Sequence, residues 1–419
     1  MSIFRIVAVL IAFAGCKSQP VTPVTTTNPQ QPPPPTDSGD DMGSAVAASN
    51  RFGLTLYERL RSTSGNLAYS PASISMALSM THAGARGDTA QEMSSTLALP
   101  DSIDAVGAGW AGVLGRWQEV TGVDIAVANR LFGDEKYTFE PAYLALTGSL
   151  YGAPLEAVDF AGAPQEQRKR INEWVAEQTR ARIKDLIPAS GVTSDTRMAL
   201  VNAMYFKAGW RTPFDAERTA DGAFAAPTGS VQVPMMMQTE FMQYGQVGGV
   251  KLAQRLYANS EFAALFVLPM VGQDIGDLEE QLDAPLFDTW TSSLKRERVA
   301  MKMPRFKVDP ASSFDLTAAL KDMGMEVPFD RMRADFTGIT NPSNPADRLF
   351  IEKVFHKAFV EMDETGTEAA AATAVMMGRA GGIPSEPVTF EADRPFLFFV
   401  RDVQTGLVLF AGRVVDPTR

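Results

Sequence analysis

The sequence predicts a mixed α+β fold in one large domain, and three observations lead there. Of its 419 residues 45% are hydrophobic, and that content continues from about residue 45 to the end without a Pro/Ser/Gly-rich linker to divide it. Helical and strand periodicities are mixed without regular alternation, which argues against a parallel sheet of strand–helix–strand units. The chain has a single cysteine, so no intramolecular disulfide can staple the fold and the core alone must hold it. A formal net charge of −11 speaks against a surface for nucleic acid or anionic lipid.

The chain opens on one positive residue, Arg5, and an apolar run from Ile6 to Ala14 that is shorter than a membrane-spanning helix. Phe13, Ala14 and Gly15 then lead into Cys16. This resembles the end of a bacterial lipoprotein signal, with Cys16 acylated after cleavage; the alternative is an ordinary secretory signal with an incidental cysteine. Residues 17–44, with Pro32 to Pro35 and several threonines, are expected to form a disordered, partly extended tether. Asp37, Asp40 and Asp41 read as solvated charge on it, since their spacing matches no calcium loop. Residues 1–16 are thus expected to be a signal and 45–419 the single folded domain.

Enzymatic chemistry has little to stand on. The two histidines are His82 and His356, and the sequence holds no G-x-S-x-G elbow, no H-E-x-x-H pair and no Walker loop. His82 follows an apolar helical pattern and precedes Gly84, so it reads as a helix C-terminal residue. Gly107, Gly109 and Gly112 satisfy G-x-G-x-x-G, with Asp134 at a suitable distance. A dinucleotide site, however, needs a buried strand before the first glycine, and Leu99 to Asp104 is not one. No metal, cofactor or catalytic residue is expected. His356 lies in the alternating pattern Val354, His356, Ala358, Val360 and reads on its own as a core histidine.

Beyond it, residues 361 to 375 pull in two directions. Ala369, Ala370, Ala371, Ala372 and Ala374 favour helix by intrinsic preference. At period two, one parity is Thr367, Ala369, Ala371, Thr373, Val375 and Met377, all small or apolar, while the other begins with Glu368 and continues in alanine. That suits a strand with one buried face, able to slide between neighbours. The Gly/Pro-punctuated run Gly378 to Pro387 then follows, as expected of a strand not yet in a sheet.

The stretches 66–89, 171–188, 200–214, 299–308, 355–373 and 390–417, in that order, resemble motifs of the serpin family of protease inhibitors. Glu364, Gly366, Thr367, Glu368, Ala369, Ala370, Ala371, Ala372 and Thr373 are similar to the hinge of its reactive-centre loop. The resemblance implies about nine helices around three sheets and no catalytic activity. It also implies a shutter at Ser70, Ser73, Asn202 and His356, with hydrogen bonds shared between His356 and Asn202, and Trp210 at the breach where insertion begins. The function implied is inhibition of a serine protease as a suicide substrate. The protease's serine attacks the loop, and the freed segment enters the large sheet as a new strand before water completes hydrolysis. Counting from Gly366 by the family's spacing puts the scissile bond between Ala380 and Gly381, for an elastase- or subtilisin-like target; Arg379, one residue earlier, would suit a trypsin-like one. Serpins activated by heparin carry bases on the helix near residues 101–120, where Arg116 stands alone, so no heparin site is expected. The remaining expectations are an exported monomer that meets membrane only through a lipid anchor, with a non-inhibitory binding or chaperone serpin as the alternative.

Overall fold

The computed structural model describes residues 38–344, 347–367 and 386–419. Cys16, Glu368 to Thr373, Arg379, Ala380 and Gly381 lie outside the described residues. Among those described, nine α-helices pack around three sheets.

The first helix, Ser38–Leu60, begins inside the stretch expected to be tether, so residues 38–44 are helical. Asp40 and Asp41 stand in its first turn, where the helix dipole favours carboxylates, rather than on a mobile segment. Its partner is the helix Ile103–Glu119, and the contact explains the misleading glycines: a Cβ on Gly109 would come 2.4 Å from the Asp41 carbonyl oxygen. Gly112 likewise faces Met42 of the first helix, and Gly107 faces Leu150 of the helix Pro141–Tyr151, so all three glycines serve helix packing.

The largest sheet has nine strands. At its centre Phe262–Pro269 is buried along its whole length, and Val408–Val414 likewise. Phe262–Pro269 is a continuous apolar run, as a strand covered on both faces requires, while the one charge in Val408–Val414, Arg413, is paired with Glu279 at 2.9 Å. Beneath the second sheet runs the helix Pro71–Ala83. Ser70 caps it through a hydrogen bond to Ser73 N, and Pro71 begins its first turn. His82 stands in its last turn, ahead of Gly84.

The second sheet positions the site. Its six strands lie in the spatial order Phe306–Val308, Val360–Met362, Gly366–Thr367, Met198–Gly209, Val123–Asp134 and Leu155–Val158. Met198–Gly209 pairs with Val123–Asp134 along one edge, from Ala208 to Met198. On its other edge, among the described residues, only Gly209 and Ala208 have strand partners, in Gly366 and Thr367. Thr367 in turn pairs with Met362, again antiparallel. Met198–Gly209 and Val360–Met362 therefore run parallel to each other, and a strand continuing from Thr367 would lie antiparallel to both. A short two-stranded sheet, Phe314–Asp315 with Phe355–His356, lies near the foot of this arrangement.

Candidate functional site

The described part of the expected hinge, Glu364 to Thr367, follows Asp363 in a tight turn between Met198–Gly209 and Val360–Met362. The Asp363 carboxylate accepts from Thr365 N at 2.7 Å and Gly366 N at 3.1 Å, and Asp363 N donates to Gly366 O at 3.0 Å. From across the sheet, Trp210 N donates to Thr365 O and Phe214 N to Glu364 O, both at 2.8 Å. The Trp210 indole N–H reaches Asp363 O at 2.9 Å. Gly366 has no room for a side chain: a Cβ would sit 2.1 Å from the Ala208 carbonyl oxygen. Thr367 is buried, and its hydroxyl lies 2.5 Å from the Tyr257 hydroxyl.

Glu364, also buried, accepts from Arg305 and Thr219, each at 2.7 Å. Burial alone would raise its carboxyl pKa, but the hydrogen bonds from Arg305 and Thr219 outweigh it and hold the group below the usual carboxylate range. The Arg305 guanidinium is pushed up by the same bond. At the hinge an ionised pair therefore replaces the water that a buried carboxylate loses.

The residues expected to form the shutter lie lower, in two groups. His356 accepts from Ser70 N at 3.0 Å through Nε2, so the neutral ring carries its proton on Nδ1. Burial pushes its pKa down to about 3. The second group runs from the Ser73 hydroxyl to Asn202 Oδ1, from Asn202 Nδ2 to Asn129 Oδ1, and from Asn129 Nδ2 to Tyr151 O at 2.8 Å. The expected bond between His356 and Asn202 is therefore corrected. His356 takes its hydrogen bond from the backbone at the helix cap, and Asn202 accepts from Ser73 on the helix beneath and donates to Asn129 in its own sheet. The Ser70 hydroxyl, bonded to Ser73 N and Leu409 O, links the two groups.

Between hinge and shutter the free volume between the two strands changes. Directly below Thr367, among Met204–Phe206 and Phe359, the free volume is about 10 Å³. At the foot it opens into a cavity of about 460 Å³ lined by residues 198–202 on one side, 349–356 on the other, and Ile74 and Leu78 beneath. The segment after the helix Pro164–Gln178 crosses in front: Arg182 stacks over Phe359 at 5.0 Å, and Lys184 O accepts from the Lys357 ammonium at 3.3 Å.

Several residues in this architecture escaped the sequence reading. Asn129, which faces Asn202 across the ladder, follows the apolar run Ile125 to Ala128 and precedes Arg130, so nothing local marks it. Arg305, Thr219 and Tyr257 left no local signal, because their roles come from contacts 59, 145 and 110 residues distant. Arg116 is engaged by Asp402 at 3.1 Å and Glu261 at 2.8 Å. Among the described residues no three His, Cys, Asp or Glu side chains are grouped to hold a metal ion.

In the six-stranded sheet Gly366–Thr367 stands between Met198–Gly209 and Val360–Met362, and among the described residues no strand follows it there. Residues 47–417 match the family described as Serpin (serine protease inhibitor), and the chain belongs to that family. It is 38% identical over 375 residues to an uncharacterized serpin-like protein of Thermococcus kodakarensis, covering 89% of this chain and 85% of that one. It is 38% identical over 396 residues to the leukocyte elastase inhibitor of Sus scrofa, covering 90% and 100%. Among solved structures, human thyroxine-binding globulin complexed with thyroxine aligns with a TM-score of 0.79 at 28% identity, covering 90% of this chain and 100% of that one. Uncleaved ovalbumin aligns with a TM-score of 0.77 at 28% identity, covering 89% and 100%. The chain is thus a serpin-fold protein related both to protease inhibitors and to non-inhibitory serpins, and serpin-fold proteins are generally non-catalytic.

Proposed function

We propose that the protein inhibits serine proteases as a suicide substrate, its cleaved loop entering the gap between Met198–Gly209 and Val360–Met362. One observation carries this reading: Thr367 is hydrogen-bonded to both walls at the head of the gap, in the register and direction that a full strand would continue. The residues that follow it in sequence favour the same course. From Thr367 to Gly378 there is no proline and Glu368 is the sole charge, while the buried parity is small or apolar. Some fourteen residues at roughly 3.3 Å each would make a strand of about 46 Å. Strand hydrogen bonds and apolar burial, withheld in the uncleaved fold, would supply the free energy.

Ala380 and Gly381 form the favoured scissile bond, with an elastase- or subtilisin-like target, and Arg379 marks the trypsin-like option. An exported setting, with a lipid at Cys16, follows from the N-terminal sequence. The test is a panel of serine proteases incubated with the protein, followed by denaturing electrophoresis and mass mapping of the loop. A denaturant-resistant complex is expected.

A second reading, a non-inhibitory binding or chaperone protein at the cell surface, draws support from the likeness to thyroxine-binding globulin with thyroxine bound and to uncleaved ovalbumin. It predicts simple cleavage of the loop with no complex and no gain in stability.

A further inference from the structure

We propose that Arg255, held by Glu240, is a positioning residue that pins the 210–214 loop over the head of the gap and so governs how readily the walls part below the seated hinge. The inference rests on the loop-insertion reading above. Arg255 belongs to Val250–Leu256, in the nine-stranded sheet rather than the one that would open. Its side chain is nearly fully buried, at 2% residue exposure. Nε and Nη2 donate to the Glu240 carboxylate at 3.1 and 2.8 Å, and Nη2 also to the Thr212 carbonyl at 2.5 Å. Nη1 is buried without a hydrogen-bond partner, so every polar tie of the guanidinium runs to Glu240 or to this loop.

Aromatic contacts extend the tie to the hinge. The Arg255 guanidinium carbon lies 3.8 Å from the Phe214 ring centre and 5.1 Å from that of Trp210. Trp210 stacks on Tyr257, with centroids 4.7 Å apart and planes 6° from parallel, and the Tyr257 hydroxyl meets that of Thr367. The same loop presents Trp210 N and Phe214 N to the hinge carbonyls. Burial brings the Arg255 pKa down to about 10, which leaves it charged at neutral pH. One charge thus fixes, from a rigid sheet, the loop against which the hinge rests. A column of this kind stabilises the closed head of the gap against strand separation.

Methionine at this position keeps the packing on both rings and removes the charge; lysine keeps the charge but lacks the planar fork that joins Glu240 to Thr212. The experiment measures, in uncleaved full-length protein at moderately raised temperature, conversion to a form whose loop resists a non-target protease. Arg255→Met should convert about tenfold or more faster than wild type, the kinetic equivalent of a lost charge-assisted hydrogen bond. Arg255→Lys should fall between. Glu240→Gln should accelerate conversion in the same direction, and adding it to Arg255→Met should change little. A merely structural role would lower the unfolding midpoints of uncleaved and cleaved protein alike, whereas a positioning role leaves the cleaved form's midpoint unmoved. Conversion at the wild-type rate, in a protein whose cleaved wild type does gain stability, overturns the inference and leaves the insertion reading intact. A cleaved wild type that gains no stability overturns the insertion reading instead, and this inference with it. If Arg255→Met does not fold, Glu240→Gln decides by the same criterion.

Discussion

The head and the foot of the same gap are built on different principles. At the head, backbone hydrogen bonds seat Gly366 and Thr367 between two walls, the Glu364–Arg305 ion pair braces the turn, and almost no free volume remains. At the foot there is a cavity of about 460 Å³, and the adjacent wall is tied down by side-chain hydrogen bonds among Ser70, Ser73, Asn202, Asn129 and His356. A strand already begun is extended residue by residue, whereas a polar knot is opened by exchanging partners. On the insertion reading the head holds the start of the strand under the loop that Arg255 ties down, the foot adds a separate polar lock, and each can be broken separately.

The largest effect is expected at Thr367. Thr367→Arg would place a charge where the hydroxyl now meets Tyr257 between two strands, at a cost of several kcal/mol if it stays buried. Insertion should then lose to hydrolysis, and the variant should be cleaved as a substrate. Covalent complexes at the wild-type ratio would show that the hinge lies elsewhere.

Gly366→Ala comes next. Its Cβ would overlap the Ala208 carbonyl, a backbone atom that cannot swing aside. Expelling the hinge from the sheet should cost about 3 kcal/mol, read as a lower unfolding midpoint in uncleaved protein. An unchanged midpoint would mean that the seat contributes nothing to the closed state.

At the foot, the His356 pKa lies near 3 in the folded protein and near 6.5 when unfolded. A lowered folded value means that the unfolded chain takes the proton more readily, so the stability from the neutral ring is full above the unfolded value and falls as pH drops from about 6.5 toward 3. The loss should reach about 2 kcal/mol at pH 5. Protonation would also turn Nε2 from acceptor to donor against Ser70 N. His356→Gln cannot charge, so its stability should vary less across pH 7 to 5, with less acid-induced polymerisation. An identical pH profile would remove His356 as the acid-sensitive group.

The smallest effect is Arg305→Met. The Arg305 side chain is 51% exposed, so solvent screens the pair, but the Glu364 carboxylate it serves is buried. A loss of about 1 kcal/mol is expected, with the Glu364 pKa moving back up. Glu364→Gln in the same background should restore part of it. Equal stability in all three proteins would reduce the brace to a surface contact.

How much of this was legible beforehand follows from the range of each interaction. The hinge, the shutter serines, Asn202, His356 and Trp210 sit in local motifs, and the helix cap at Ser70–Pro71 is written in adjacent residues. Period-two alternation favours a strand over an alanine helix for the segment after Thr367, which lies outside the described residues. Asn129, Arg305 and Tyr257 matter only through distant partners, and nothing near Asn129 shows that it rather than His356 is bonded to Asn202. Likewise Pro32 to Pro35 suggested a tether running too far, because the packing of Gly109 against Asp41 is invisible in either stretch alone.

The claim that joins head and foot is that the uncleaved sheet is incomplete. It is tested most directly by the thermal unfolding midpoint before and after complete cleavage within residues 378–382. If the loop enters the gap, the cleaved protein should melt far higher than the intact one, because the missing strand then completes the hydrogen bonds along both walls and fills the cavity at the foot. An unchanged or lowered midpoint after full cleavage would contradict the account.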